Sequence, residues 1–371
     1  MFVVLILFLF FSLTLLCYYF CIFYTFINHR SSKETKPAPL PVSVIICAKD
    51  EAKNLQKFLP EIYKQNYPDF EVILINDRSI DRTFDVMKDF EERYPTQTKL
   101  VNVPRNNDNR LMGNKKYALT LGIKAARNNV LLFTDADCKP AGKNWIQQMT
   151  QKFNSGKQIV LGYGKYNRQT GFLNKLIRFE TLQTALQYFS YALKGIPYMG
   201  VGRNLAYTKE LFMQNNGFYS HLDIMSGDDD LFINETATTE NTAICTNPEA
   251  FTISQPKESW PAYIHQKRRH ISTASHYKPL HRNLLGLYYT ALLGFWLTAI
   301  ILLITQSYWQ IVAGVWLLRI ISAWYINDKA NHKLQEKDLS IWFPVLEISL
   351  LLFQLLIFVI NIFKKPSRWA N

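Results

Sequence analysis

The sequence predicts an α/β domain, a sheet flanked by helices, set between membrane segments: one N-terminal and about three C-terminal. Three observations predict it. Short β-branched runs alternate with helical patterns through the middle of the chain. Long, almost purely apolar runs crowd the two ends. Between them the run Val130-Leu131-Leu132-Phe133 stops at Thr134-Asp135-Ala136-Asp137, two carboxylates one residue apart.

Phe2 to Ile27 is long and apolar enough to cross a bilayer as a helix. No basic stretch precedes it and no Ala-x-Ala-like site follows, so residues 1–29 read as an uncleaved anchor. Arg30, Lys33 and Lys36 come next, and positive charge marks the cytoplasmic flank of a span. The central part of the chain is therefore expected in the cytoplasm, with an integral membrane protein of the cell (inner) membrane as the whole. Residues 30–40 form a short, stiff, proline-rich linker.

The central domain spans residues 41–275. Val42 to Cys47 is a strand, Asn54 to Lys64 a helix, and Val72 to Ile75 a second strand. A helix through Met87 and Tyr94, a strand near Leu100 to Val103 and a helix from about Lys115 to Ala126 follow. Apolar strands alternating with helices argue a parallel sheet covered on both faces. Ile159 to Tyr163 reads as a further strand. Phe172 to Leu193 has apolar residues at helical spacing with Lys175 and Arg178 among them. That pattern fits a helix on the membrane surface or an amphipathic core helix equally. Tyr198 to Tyr207 carries Gly200 and Gly202, which permit close approach of a ligand to the backbone. Ser226 to Phe232 opens another helix. Short strands around Thr242 to Cys245 and Phe251 to Ser254 lead to the basic stretch Gln266-Lys267-Arg268-Arg269-His270.

Residues 276–371 form a membrane domain with spans at about 284–304, 308–326 and 341–363. The last contains Pro344 and Glu347. If all three cross, the tail Lys364-Lys365-Pro366-Ser367-Arg368 lies opposite the central domain, against the positive-inside tendency. A re-entrant last segment would keep it on the same side.

Lysine and arginine number 42 against 29 acidic residues, a formal +13, which suits anionic partners such as lipid headgroups or nucleotide phosphates. No nucleic-acid-binding motif accompanies the charge, so nucleic acid is not an expected partner. The five cysteines are scattered, with neither zinc nor disulfide spacing, as suits a reducing compartment. Gly-x-x-x-x-Gly-Lys-Ser/Thr and His-Glu-x-x-His are both absent from the sequence. His265, His270, His276 and His281 crowd one region without metal spacing and read as structural or interfacial.

Three acidic groups follow three separate elements: Asp77, the pair Asp135 and Asp137, and Asp228 to Asp230. Lys115, Lys116, Arg203, Arg268 and Arg269 stand between and after them. A bare Asp-x-Asp is usually a solvated turn, and an aspartate run usually caps a helix. Together the set suits a diphosphate. Two close carboxylates share Mg²⁺ or Mn²⁺, basic side chains take the remaining phosphate charge, and a free carboxylate serves as base.

Five stretches in this order resemble family 2 glycosyltransferases: Val42 to Glu51, Ile75 to Thr83, Thr134 to Asp137, Gly227 to Leu231 and Gln266 to Arg269. These are inverting enzymes of the GT-A fold, a Rossmann-like mixed sheet flanked by helices. The resemblance covers about residues 41 to 275. It implies that the loop from Ala48 to Glu51 holds the nucleoside, with Glu51 near the ribose and Asp77 accepting from the uracil ring. It implies that Asp135 faces the ribose or its network, that Asp137 ligates the metal at the diphosphate, and that Lys115 lies near the donor. Asp228 matches the general base, with Asp229 competing because Gly227 stands where glutamate is usual. Gln266 and Arg269 match residues that contact the diphosphate and the acceptor, and His270 replaces a tryptophan. Asp50 and Asn76 also depart from the usual pair, as short polar substitutes.

The expected function is inverting transfer of a sugar from a nucleotide sugar, UDP-linked by this reading, to a lipid or lipid-linked glycan. The one-plus-three layout of spans resembles ceramide-glucosyltransferase-type enzymes more than processive polysaccharide synthases, which remain the alternative. A non-catalytic sugar-nucleotide-binding membrane protein is the second alternative.

Overall fold

The computed structural model describes residues 1–30, 38–104, 115–224, 226–271 and 273–363. Lys33, Lys36 and the tail from Lys364 lie outside the described residues.

The first apolar run forms α1 (Phe2–Cys17), a π-helical turn (Tyr18–Phe23) and α2 (Tyr24–Asn28) in one continuous rod. Next come β1 (Val42–Ala48), α3 (Ala52–Tyr63), β2 (Phe70–Asn76), α4 (Thr83–Arg93) and β3 (Thr98–Asn102). After them lie α5 (Lys115–Ala125), β4 (Val130–Phe133), β5 (Cys138–Pro140), α6 (Trp145–Thr150), β6 (Ile159–Leu161), β7 (Gly164–Tyr166) and α7 (Phe172–Leu193). The domain closes with β8 (Leu205–Thr208), α8 (Lys209–Gln214), α9 (Asp230–Thr236), β9 (Thr242–Ile244), β10 (Thr252–Ser254) and α10 (Trp260–Ile271). The membrane helices are α11 (Pro279–Ile304), α12 (Trp309–Lys333) and α13 (Phe343–Phe363).

The main sheet has the order β3-β2-β1-β4-β8-β6-β9. β1 to β4 run parallel, as expected. β8 runs antiparallel between β4 and β6, so the sheet is mixed, as the family resemblance implied, where the strand–helix alternation alone argued only parallel strands. The end of the stretch from Tyr198 to Tyr207, to which the sequence assigned no strand, thus supplies the central strand β8. A second small sheet, β5-β10-β7, forms because the run from Ile159 breaks at Gly162 and resumes as β7.

Strand residues alternate between two faces, and each face has its own core. Val44, Leu74 and Leu132 pack under α3, α4 and α6. Ile45, Ile73 and Phe133 join a core that runs through α7 into the membrane helices. α7 is a core helix, buried along most of its length. Tyr188 donates from its hydroxyl to the Gly162 carbonyl (2.7 Å) above it, and Phe189 stacks on Phe26 (5.3 Å) below.

Among the described residues, four helices are long and apolar enough to cross a membrane, one N-terminal and three C-terminal. Their outward faces are apolar, with Phe2, Phe10 and Leu13 on α1 and Leu352 and Phe358 on α13 exposed. Inside the bundle, Arg319 of α12 binds Glu347 of α13 through two hydrogen bonds (2.5 and 2.7 Å) and donates to the Tyr19 hydroxyl (2.6 Å). Such a pair is retained in an apolar interior only when both charges are satisfied by partners of this kind.

Candidate active site

The parallel register places Ala48 beside Asn76, and Ile45 beside Phe133. The loops after β1, β2 and β4 therefore gather at one edge, the carboxyl ends of the strands, where open α/β sheets take ligands.

The first two loops are stitched together. The Asp50 side chain accepts from the Ile80 N–H (2.7 Å), and the Asp50 N–H donates to Ser79 Oγ (3.1 Å). The Glu51 N–H donates to Thr83 Oγ1 (2.8 Å). Asp50 has φ +56°, a left-handed conformation that asparagine and aspartate tolerate best, so the aspartate there is a like-for-like substitute. Asn76 is structural: its amide donates to Asn102 Oδ1 (2.7 Å). Asp77 is buried, donates its N–H to the Ala48 carbonyl (2.9 Å) and pairs with Arg78. Burial pushes its carboxyl up, against the pull of Arg78. Burial raises Glu51 as well, and the charges of Asp137 and Asp135 add to that shift.

Lys115, at the start of α5, is the hub. Its ammonium lies 3.0 Å from Asp135 Oδ1 and 3.2 Å from Asp228 Oδ2. Burial pushes Lys115 down, but the two carboxylates outweigh it and hold it well above the usual lysine range. Burial likewise pushes Asp228 up, and Lys115 holds it below the usual carboxylate range. Asp229 caps α9 and accepts from the Gly202 N–H (2.6 Å) and the Asp230 N–H (2.8 Å). Burial and the neighbouring charges of Asp228 and Asp230 push its carboxyl up to about 7. A cavity of about 20 Å³, room for a water but not a nucleotide, lies among Cys47, Lys115, Thr134, Asp135, Asp228 and Asp229. Anything larger must sit in the open cleft above it.

Asp135, Asp137 and Cys138 bring their ligand atoms within 4.8 Å of one another. Cys138 is buried between Ser254 Oγ (2.9 Å) and Asp137 Oδ1 (3.3 Å). Burial and the two carboxylates push its thiol well up. The two carboxylates offer hard oxygen ligands, which fit a divalent cation such as Mg²⁺ or Mn²⁺. Burial and the charge of Asp135 also raise Asp137, as expected of a carboxylate pair short of positive charge.

α10 closes the cleft from below. Gln266 reaches the Tyr166 hydroxyl (3.4 Å), and its Oε1 is buried with no hydrogen-bond partner among the described residues. Arg269 faces Asp228, Asp135 and Asp229, whose charges pull against the burial that lowers it. Arg203 lies across the Tyr166 ring (4.3 Å) and donates to Ser254 Oγ (3.2 Å), within the field of Asp137.

All of Ala48, Glu51, Asp77, Lys115, Asp135, Asp137, Asp228, Asp229, Gln266 and Arg269 lie at or beside this edge. Three residues that the sequence reading grouped with them do not. Lys116 is buried and donates to the His221 (2.6 Å) and Ile224 (2.9 Å) carbonyls. Asp230 accepts from Thr273 (2.5 Å) and Tyr277 (2.7 Å). Arg268 turns toward α13 and donates to Asn361 Oδ1 (2.9 Å). Tyr166 and Lys257, whose charge reaches Asp137 and Glu51, were missed, and no spacing in the sequence marks either.

Comparison with known proteins bears on this cleft. Residues 43–214 match the family described as "Glycosyl transferase family 2". The chain is 38% identical over 104 residues to a dolichyl-phosphate beta-glucosyltransferase, ALG5D, of Trichomonas vaginalis, covering 26% of this chain and 30% of that protein. It is 27% identical over 133 residues to the glycosyltransferase AglE of Haloferax volcanii, covering 35% and 41%. The matches thus span less than half the length of either relative. Among solved structures, a mannosyltransferase of Pyrobaculum calidifontis in complex with GDP-Man and Mn²⁺ superposes with TM-score 0.57 at 17% identity. That superposition covers 91% of this chain and 98% of the other, which shows a shared GT-A fold.

Proposed function

We propose that this chain, which carries a family 2 glycosyltransferase domain, moves a sugar with inversion from a nucleotide sugar to a lipid or lipid-linked acceptor at a membrane. The observation that carries this reading is the Asp135–Lys115–Asp228 ion-pair chain at the carboxyl edge of the sheet, with Asp137 beside it.

Each residue has a role in this reading. The stitched loop from Ala48 to Glu51 holds the nucleoside. Asp77, a buried carboxylate, accepts from a ring N–H, which uracil and guanine offer and cytosine N3 does not. UDP is our reading of the donor, with GDP its competitor. Asp137, with Asp135, would hold the divalent cation, which supplies charge neutralisation at the leaving diphosphate when bound. Lys115, Arg203 and Arg269 take up the remaining phosphate charge. A diphosphate beside Lys115 competes with Asp228 for its ammonium, and this frees Asp228 to act as base. Asp228 takes the proton of the acceptor hydroxyl. The oxygen attacks the anomeric carbon, and the bond from that carbon to the diphosphate oxygen breaks on the opposite face. Gln266, with its unpartnered Oε1, sits where it can receive a hydroxyl of the acceptor.

The acceptor follows from placement. The cleft is closed by α10, and Tyr263 of α10 stacks on Phe353 of the apolar α13 (4.9 Å). The name of the Trichomonas relative, a dolichyl-phosphate beta-glucosyltransferase, supports a lipid among the acceptors considered. A lipid acceptor, a catalytic domain facing the cytoplasm and residence in the cell membrane complete the reading.

The test is donor turnover by purified protein in nanodiscs with lipid extract, Mn²⁺ or Mg²⁺ and a panel of UDP-, GDP- and dTDP-sugars. Metal-dependent release of nucleoside diphosphate that disappears in Asp137→Ala and Asp228→Asn supports the reading. Tight binding without turnover would support a sugar-nucleotide-binding protein instead, and ladders of product would support a processive synthase.

A further inference from the structure

α13 is long and apolar enough to span a bilayer, yet both of its ends are tied to elements on the catalytic face. Before it, Glu336 and Asp338 bind Arg178 of α7, the helix beneath the sheet. Lys165 of β7 reaches the Gln335 carbonyl (3.4 Å) in the same segment. After it, Asn361 accepts from Arg268 Nε (2.9 Å) on α10, one residue from Arg269 of the active-site cleft. Midway, Phe353 lies flat on Tyr263 of α10, with rings 4.9 Å apart and 10° between their planes.

A helix of this length spans about 30 Å, so a crossing α13 would end beside the turn between α11 and α12. The internal depths argue otherwise. Glu347 meets Arg319, which lies about four turns, some 20 Å, before the catalytic-side end of α12 at Lys333. Lys333 itself marks that end, because it donates to the Phe26 carbonyl (2.6 Å) and to the His29 carbonyl where α2 leaves the membrane. From Glu347 to Asn361 is again about four turns, and that distance returns the helix to α10.

We propose that the last apolar segment is re-entrant: the 3-10 turn Lys337–Trp342 descends to the Arg319–Glu347 pair and α13 rises from it, so that the chain leaves α13 on the catalytic side. Its lipid-facing surface is Val345, Leu352, Leu356, Phe358, Ile362 and Phe363, all exposed and all apolar. The partner of that surface is the acyl region of the leaflet next to the catalytic domain, and α10 rides on its inner face. The arrangement also removes a charge conflict. The positive-inside tendency favours the catalytic side for the end of α13, because the sequence after it is basic, Lys364-Lys365-Pro366-Ser367-Arg368.

The test is cysteine labelling with a membrane-impermeant maleimide, in a background with Cys17, Cys21 and Cys47 replaced by serine. Sealed vesicles with the catalytic domain outward are labelled before and after permeabilisation. Lys88→Cys, on the exposed face of α4, reports the catalytic side, and Gln306→Cys, in the turn between α11 and α12, reports the far side. Asn371→Cys and Ser367→Cys are expected to label in intact vesicles, as Lys88→Cys does. Labelling of both only after permeabilisation, as for Gln306→Cys, would show that α13 crosses and would overturn the proposal. Neither outcome depends on donor or acceptor, so the result stands apart from the proposed reaction.

Discussion

Lys115 and Lys116 are sequence neighbours that face opposite ways. Lys115 joins two carboxylates of the cleft, whereas Lys116 satisfies two backbone carbonyls, and burial lowers it to about 8. Lys115→Met is expected to cut donor turnover about 100-fold or more while the protein remains folded. Lys116→Met is expected to leave the His221 and Ile224 carbonyls unsatisfied, at about 1–3 kcal/mol, and to lower the Tm in detergent without selective loss of nucleotide affinity. Asp228 and Asp229 are separated by pH. Asp228 is held below the usual carboxylate range by Lys115, so with it as base kcat/KM is flat above about pH 5. An acid limb near pH 7 would reassign the base to Asp229, whose carboxyl stands at about 7. The same elevation has a stability consequence. The folded protein keeps a proton on Asp229 that the unfolded chain releases near pH 4, so this group's contribution falls as pH rises from about 4 to 7. A plot of Tm against pH should lose that decline in Asp229→Asn.

At the scale of the element, the turn into α9 explains a departure that the sequence alone left open. Gly227 has φ +97°, and a Cβ there would meet Leu231 Cδ1 at 2.4 Å. The glutamate usual at this position in the resembling family has no place on this backbone. Gly227→Glu is therefore expected to destabilise, by about 1–3 kcal/mol, and to lower activity rather than restore it; thermal unfolding in detergent reads the effect. The parallel strands were legible because Val42 to Cys47 and Val72 to Ile75 are continuous apolar runs that only a doubly covered sheet can bury. β8 was not legible, since Gly200, Gly202 and Arg203 precede it and its partners lie far away in sequence. Within the site, carboxylates after strands carry a positional signal that a sequence displays. Tyr166 carries none: an isolated tyrosine becomes part of the cleft only when β7 folds beside Arg203.

For the whole molecule, the catalytic and membrane parts share one core, and buried charge clasps them. Arg178 is almost fully buried against Glu336 and Asp338, and burial pushes Glu336 up against the pull of Arg178. Removing one member of such a group leaves the other buried and uncompensated. Arg178→Met is expected to lower the Tm strongly, and Glu336→Gln in the same chain is expected to recover part of the loss. The four apolar helices were legible from composition, whereas the path of the last was not, because hydropathy reports length and not direction. The most direct measurement of the central claim is equilibrium binding of UDP and GDP to purified protein, with Mn²⁺ and with a chelator, in wild type and Asp137→Ala. Binding of one of the two is expected to require the metal and to weaken about 100-fold or more in Asp137→Ala. Binding that is equal with chelator, or unchanged in Asp137→Ala, would contradict a metal-assisted diphosphate site at this edge of the sheet.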